Sequence, residues 1–147
     1  MELNPRLNHS WWTLRIALGA VPIIAGLDKF LNLLTNWEMY LNPLIPKILH
    51  VSPQTFMHAS GVIEIVVGIL MFTPFTRYVA YVVMVWLWAI SLNLISQMQF
   101  LDIAVRDILI SLGAFVLAKL TEIRELAGAE ETSPTIKRAS DEMRRTA

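Results

Sequence analysis

Ionisable side chains lie within the most apolar stretches of this 147-residue chain. They are Arg15, Asp28, Lys29, Glu64, Arg106 and Asp107. A charge at the centre of a bilayer costs about 2.5–3.5 kcal/mol on insertion scales. Such side chains are retained where they face the interior of a helix bundle and pair with one another. They are therefore the first candidates for a functional site.

Four long apolar segments account for the unusual composition of the chain, which is 55% hydrophobic and only 16% charged. Soluble proteins carry about 25% charged residues. The segments are 11–34, 53–72, 75–97 and 103–124. Each has about twenty residues or slightly more, which lets a helix cross a hydrocarbon core of roughly 30 Å. The sequence therefore predicts an all-α membrane protein, a four-transmembrane-helix bundle.

Several classes of function are disfavoured by composition. The formal net charge is zero, so nucleic acid is not an expected partner. The chain has no cysteine, which excludes disulfides, thiol catalysis and cysteine-ligated metal. No phosphate-binding loop or zinc-ligand spacing is present, and no metal site is predicted. The first apolar segment is too long for a signal peptide, and we interpret it as a retained helix.

Charge asymmetry predicts the orientation. Four crossings place both termini on one side of the membrane, and most basic residues lie toward or beyond the ends of the spans on that side. They are Arg6, Arg15, Arg77, Lys119, Arg124, Lys137, Arg138, Arg144 and Arg145. The opposite side has Lys47. The positive-inside rule therefore places both termini in the cytoplasm. We expect the membrane to be the inner membrane of a bacterium or archaeon. Gly128 is predicted to end the fourth helix, dividing the chain into a membrane domain, 1–128, and a polar, disordered cytoplasmic tail, 129–147.

Helical spacing places small and polar residues together on one face of each span. The faces are Arg15, Gly19, Pro22, Gly26 and Lys29 on the first; Gly61, Glu64 and Gly68 on the second; Ala89, Asn93 and Ser96 on the third; and Ala104, Asp107, Ser111, Ala114 and Ala118 on the fourth. Small residues allow membrane helices to approach closely. We therefore expect these faces to meet inside the bundle.

Depth along the helices predicts a polar cluster in the outer half of the membrane, with Glu64 at its floor. At about 1.5 Å per residue, its other members lie roughly 10 Å further out. They are Asp28, Lys29, Asn93, Arg106 and Asp107. Arg15 lies on the cytoplasmic side, where it can snorkel. The cluster is nearly neutral if Glu64 is protonated or reaches Lys29. It either fixes the register of the helices or forms a site for a ligand, a proton or a quinone headgroup.

The connection between the first two spans, 35–52, is long for a small bundle. Pro43 and Pro46 are expected to prevent a regular helix within it. It lies either along the outer membrane surface as a lid or as an ordinary amphipathic loop. His50 and His58 are weaker candidates, as haem ligands or as polar residues at the interface.

The layout resembles the DoxX family of small four-helix membrane proteins. The matching elements are Arg15-x-x-x-Gly19 and Gly26-x-x-Lys29-Phe30 on the first helix, Gly61-x-x-Glu64-x-x-x-Gly68 on the second, and Ala104-x-Arg106-Asp107 at the start of the fourth. The resemblance extends over about 14–119. The long first connection and the Asp28-Lys29 pair suggest a divergent branch.

The resemblance implies an association with respiratory and oxidoreductase membrane complexes, including a thiosulfate:quinone oxidoreductase and a terminal quinol oxidase. Our leading hypothesis is an accessory subunit of an electron-transfer complex, without an intrinsic cofactor, whose polar cluster holds a quinone head or a partner helix. The alternative is a small proton-coupled transporter acting as an oligomer, and a third hypothesis is a haem enzyme. The expected partners are membrane lipids, other subunits of a membrane complex, and a second copy of the chain.

Overall fold

The computed structural model describes the backbone of residues 5–145 and the side chains of residues 7–129. Helices make up almost all of it: α1 (Pro5–Leu31), a 3₁₀ helix (Trp37–Tyr40), α2 (Leu44–Leu49), α3 (Pro53–Leu70), α4 (Thr76–Ser96) and α5 (Leu101–Arg145). No strand occurs in this part of the chain. The predicted all-α class is confirmed. Helix α1 packs mainly on α3, and α4 packs mainly on α5.

Two of the described helices, α3 and α4, are long and apolar enough to cross a membrane. Only 28% of the residues in each apolar window are buried inside the bundle. The core helix of a soluble protein would be mostly buried, because water penalises exposed apolar surface. The outer faces of α3 and α4 are instead apolar and exposed, which suits a lipid environment.

Helices α1 and α3 approach each other through glycines, as the sequence predicts. Gly19 lies against Gly68, and Gly26 lies against Gly61, so the two helices run antiparallel. A Cβ atom added to Gly26 would lie 2.5 Å from the carbonyl oxygen of Gly61. A Cβ atom added to Gly68 would lie 2.6 Å from the carbonyl oxygen of Gly19. Any side chain at these positions would force the helices apart.

Helix α5 also packs through its predicted small-residue face, and every member of that face is buried. The predicted face of α4 is wrong, because Ala89 and Ser96 are exposed. The face of α4 that α5 covers instead includes buried aliphatic and small residues. They are Ala80, Val83, Ser91 and Leu94. The polar residues near the end of α4 bind the connection that follows α1, which explains why they lie off this face.

The connection after α1 contains a short helix, α2, although the sequence predicted that its prolines would prevent one. Pro46 is the third residue of α2 and is buried. In the first turn of a helix the backbone N–H has no intrahelical partner, so proline costs little there. Helix α2 ends at His50, which adopts the left-handed conformation and donates its backbone N–H to Pro46.

Helix α5 does not end at Gly128 but continues to Arg145. Glycine costs about 1 kcal/mol in a helix relative to alanine, and the alanine and glutamate residues around it are strong helix formers. The segment 129–147 was predicted to be disordered, and its backbone up to Arg145 is instead helical. The side chains of residues 130–145, and all of residues 146–147, lie outside the described part of the chain.

Candidate functional site

A buried ion pair joins α1 to α3. Lys29 Nζ donates to Glu64 Oε2 at 2.6 Å, and their side chains are only 6% and 8% exposed. Lys29 follows Gly26 by three residues on α1, and Glu64 follows Gly61 by three residues on α3. The close glycine contact therefore brings the two side chains within reach of each other. The sequence left two possibilities open for Glu64, a protonated carboxyl or a contact with Lys29, and the structure contains this contact.

Two tryptophans enclose this ion pair. The Lys29 ammonium lies 3.8 Å from the centroid of the Trp37 ring, which is a cation–π contact. The indole N–H of Trp86 donates to Glu64 Oε1 at 3.4 Å. Sequence reasoning missed the contact between Trp37 and Lys29, because no helical period applies to a residue in a connection. The sequence showed only that Trp86 lies in the middle of its helix, and this position did not indicate which residue it contacts.

Asp28 positions Trp37 rather than joining the ion pair. Its carboxylate accepts the indole N–H of Trp37 at 2.7 Å and the backbone N–H groups of Leu33 and Leu34. The chain turns at Asn32, which has a φ of 49° that asparagine tolerates better than most residues. The carboxylate therefore stabilises the turn after α1 and holds the Trp37 ring over Lys29.

Asp107 belongs to the cluster, and Arg106 does not. The Asp107 side chain is 10% exposed and interacts electrostatically with both Lys29 and Glu64. The Arg106 side chain is 65% exposed, and its Nε lies 3.7 Å from Asp107 Oδ1. Neighbouring residues on a helix point about 100° apart. Since Asp107 lies on the buried stripe of α5, Arg106 faces outward, and its predicted place inside the cluster is wrong.

Asn93 secures the connection instead of contacting the ion pair. Its side-chain amide donates to the carbonyl oxygen of Tyr40 at 2.6 Å, and its oxygen accepts the backbone N–H of Asn42 at 2.9 Å. Gln97 also donates to the Tyr40 carbonyl. The segment that carries Trp37 is therefore tied to α1 at one end, through Asp28, and to α4 at the other.

Arg15 lies away from the cluster, toward the N-terminal end of α1. It donates from Nε to the carbonyl oxygen of Met71 and from Nη2 to that of Thr73, each at 2.9 Å. These carbonyls follow the last turn of α3, where acceptors lack helical partners. Arg15 therefore caps α3.

The histidines take structural positions. The His58 ring stacks on Phe30 with centroids 4.7 Å apart, and His50 ends α2. Across the described residues, no group of three or more histidine, cysteine, aspartate or glutamate side chains is arranged to hold a metal ion.

The comparison with known families shows to which protein family the chain belongs. The family model for DoxX matches residues 10–93, which is more than half of the chain. This chain belongs to the DoxX family. No curated protein and no solved structure matches the chain. The matched region contains the Lys29–Glu64 pair and both tryptophans around it, whereas the Arg106-Asp107 motif lies beyond its end. The family supports a membrane protein, in agreement with the exposed apolar faces of α3 and α4.

The chemistry available at this DoxX site follows from its donors and acceptors. An ammonium and an indole N–H offer hydrogen bonds, and a carboxylate accepts them. Because the charges of Lys29 and Glu64 cancel, the pair is tolerated away from water. Transfer of the ammonium proton to the carboxylate would leave both groups neutral without changing the number of protons that the pair holds. The site can also hydrogen-bond a carbonyl group.

Proposed function

We propose that this DoxX protein crosses the bilayer with all four long helices, α1, α3, α4 and α5, and that both termini lie in the cytoplasm. Apolar side chains are exposed on the outside of every one of these helices, as in Ile24, Val66, Val85 and Leu109. Basic side chains gather at the end of the bundle where α1 begins: Arg15, Arg77, Lys119 and Arg124. The positive-inside rule supports placing this end in the cytoplasm.

The absence of cysteine makes the topology directly testable. We expect a single cysteine in Lys47→Cys to react with a membrane-impermeant maleimide on intact cells. A cysteine in Ala129→Cys is expected to react only after the membrane is permeabilised. Both positions are exposed, so their reactivity reports the side of the membrane. Labelling of the two positions from the same side would contradict four crossings.

We infer that the protein serves as a membrane subunit of an electron-transfer complex and that its ion-pair site receives a quinone headgroup. The observation that carries this proposal is a shallow, open apolar groove whose lining residues all belong to α4, and one of them, Trp86, also contacts the ion pair. The groove has a volume of about 370 Å³ and is lined by Tyr81, Val82, Val85, Trp86 and Ala89. Trp86 lines the groove and also donates to Glu64, so this one residue joins the lipid-facing surface to the buried carboxylate.

The residues present fit a quinone. The apolar groove suits an isoprenoid chain, and the Lys29 ammonium and Trp86 N–H are donors suited to a quinone carbonyl. A bound quinone would supply two-electron redox chemistry coupled to proton uptake. In that role Glu64 and Lys29 would hold the exchangeable proton, and the Trp37 ring would shield the ammonium from water. This function rests on the family resemblance together with the groove and its donors.

Quenching of tryptophan fluorescence by decylubiquinone, with the protein in phosphatidylcholine nanodiscs, tests the site. We expect saturable quenching. The apparent affinity for the quinone is expected to be at least about tenfold weaker in Ala89→Phe, because one lost hydrogen bond or a blocked pocket costs about 1.4 kcal/mol or more. The exposed position of Ala89 means that the substitution fills the groove without disturbing the core. Ala17→Phe places the same ring at an exposed alanine of α1 and is the matched control.

Two outcomes of these measurements contradict the proposal. Quenching that never saturates, or that falls equally in Ala89→Phe and Ala17→Phe, removes the quinone site. Purification in a mild detergent addresses the subunit role: a chain that elutes without any redox protein contradicts it. The transporter alternative requires instead that proton-coupled uptake into vesicles be lost in Glu64→Gln.

A further inference from the structure

A second cluster of charged and aromatic side chains lies at the opposite end of the bundle from the ion pair. It consists of Arg15, Arg124, Trp11 and Trp12, and we call it the arginine–tryptophan cluster. The guanidinium carbons of Arg15 and Arg124 lie 4.7 Å and 4.3 Å from the centroid of the Trp11 ring. The Arg15 guanidinium also lies 5.2 Å from the Trp12 ring. Neither the family relationship nor the quinone proposal assigns a role to this cluster.

The two guanidinium groups repel each other, since Arg124 acts electrostatically on Arg15. Within the described residues, neither of them forms an ion pair with a carboxylate. Arg15 is bonded to the carbonyl groups that end α3, and Arg124 donates to the side-chain oxygen of Asn8. Glu125 is close by, but its carboxylate is paired with Arg77. An anion between Arg15 and Arg124 would relieve their repulsion.

The cluster is rigid enough to form a binding site. The indole N–H of Trp11 donates to Thr121 Oγ1 at 2.8 Å, which fixes the ring that both guanidinium groups share. Two hydrogen bonds hold Arg15 in place, and they use its Nε and Nη2 atoms. A guanidinium has five N–H donors. Among the described residues, the Nη1 atom of Arg15 has no partner, so this atom remains available to a ligand.

A cavity opens beside these groups. It has a volume of about 390 Å³, and its lining contains all four cluster residues together with Thr73, Pro74, Thr76, Thr121 and Glu125. The size falls within the usual range of small-molecule sites, about 300–1,000 Å³. Arginine forms bidentate hydrogen bonds with phosphate oxygens, which makes paired arginines well suited to a phosphate group.

The position of the cavity favours a lipid over a soluble ligand. Trp12 is 42% exposed, and tryptophan is enriched where the hydrocarbon core meets the headgroups. Basic pockets between membrane helices on the cytoplasmic side bind anionic headgroups. Two other basic side chains described at this end, Arg77 and Lys119, are paired with Glu122 and Glu125. Of these four basic side chains, Arg15 and Arg124 are therefore the ones that remain to attract an anion.

We propose that the arginine–tryptophan cluster binds the phosphate group of an anionic phospholipid. Arg15 and Arg124 contact the phosphate oxygens, and the exposed Trp12 ring lies against the glycerol backbone and the first methylene groups. The proposal requires that this end of the bundle lie at the membrane surface, and it is independent of the quinone site. Because Arg15 also caps α3 and Trp11 also packs on α5, a bound lipid would link three of the four long helices.

Native mass spectrometry of the full chain tests this proposal. The protein is released from detergent that contains equal amounts of phosphatidylglycerol and phosphatidylcholine. We expect retention of phosphatidylglycerol over phosphatidylcholine, and about fivefold weaker retention in Arg124→Gln, since one basic residue contributes about 1 kcal/mol to binding an anionic lipid. Arg106→Gln removes one exposed arginine at the other end and is expected to retain the lipid like the unaltered protein.

Three results would overturn the assignment. Equal retention of the two lipids would mean that the site does not select a negative charge. Equal losses in Arg124→Gln and Arg106→Gln would mean that net charge, and not this cluster, attracts the lipid. If inorganic phosphate competes fully with phosphatidylglycerol at millimolar concentration, the occupant is a soluble anion. Circular dichroism of each variant shows whether it is folded, and Arg124→Lys, which keeps the charge, is expected to recover most of the retention.

Discussion

Replacing Lys29 by methionine is expected to lower the free energy of unfolding by about 3–5 kcal/mol, which is typical for removing one partner of a buried ion pair. The substitution leaves the Glu64 carboxylate away from water, and among the described residues the Trp86 N–H is then its one hydrogen-bond donor. It also removes the cation that offsets the repulsion between Glu64 and Asp107. Unfolding by SDS titration, followed by far-UV circular dichroism, measures the loss.

Removing both charges is expected to be far less harmful than removing one. In the double variant Lys29→Met with Glu64→Met no charge is left unpaired between α1 and α3, and replacement of a buried pair by apolar residues is often neutral. Arg77→Met is the matched control, since Arg77 and Glu122 form a 2.8 Å ion pair between helices that is partly exposed to solvent. We expect this control to cost much less, because solvent screens exposed pairs. A double variant no more stable than Lys29→Met would contradict the importance of charge balance.

The second large effect is expected from Gly26→Ala. The new methyl group would lie 2.5 Å from the Gly61 carbonyl oxygen and 2.8 Å from a side-chain carbon of Ile65. Since a backbone carbonyl cannot move aside alone, α1 and α3 must separate, and overpacking of this kind costs about 1–3 kcal/mol. Separation would also lengthen the Lys29–Glu64 contact. The same SDS titration gives the change in stability.

Gly113→Ala is the control for that substitution. Gly113 lies in the middle of α5, and the nearest atom to an added Cβ would be a Leu14 side-chain carbon at 3.9 Å, an ordinary contact. Alanine is a better helix former than glycine by about 1 kcal/mol, so this variant is expected to be at least as stable as the parent. A gain of stability in both variants would show that the glycine contact is not tight.

Helical periodicity explains which parts of the site were predictable. The spacing of Gly26 and Lys29 on one helix, and of Gly61 and Glu64 on another, fixes their faces whatever the rest of the chain does. The buried stripe of α5 follows from the same rule. Depth alone was a weaker guide. It grouped Arg106 with Asp107, although adjacent residues on a helix point in different directions.

Helical periodicity could not predict that tryptophan side chains enclose the ion pair. Trp37 meets Lys29 because the chain reverses at Asn32 and because Asp28 binds the Trp37 indole. Both contacts depend on the conformation of a connection, which no helical repeat describes. The exposed side of α4 was predicted wrongly for a related reason. The polar side chain of Asn93 binds the connection that follows α1 and does not face α5.

The two glycine contacts between α1 and α3 have a consequence for alignment. Gly19 and Gly26 are seven residues apart, as are Gly61 and Gly68, so both contacts form in the same register. Sliding one helix by a single turn, about 5.4 Å, would separate both pairs of glycines. The spacing therefore favours the observed register over those one turn away. The glycines, which lack a side chain and lie two turns apart, therefore set the alignment that brings the Lys29 ammonium to the Glu64 carboxylate.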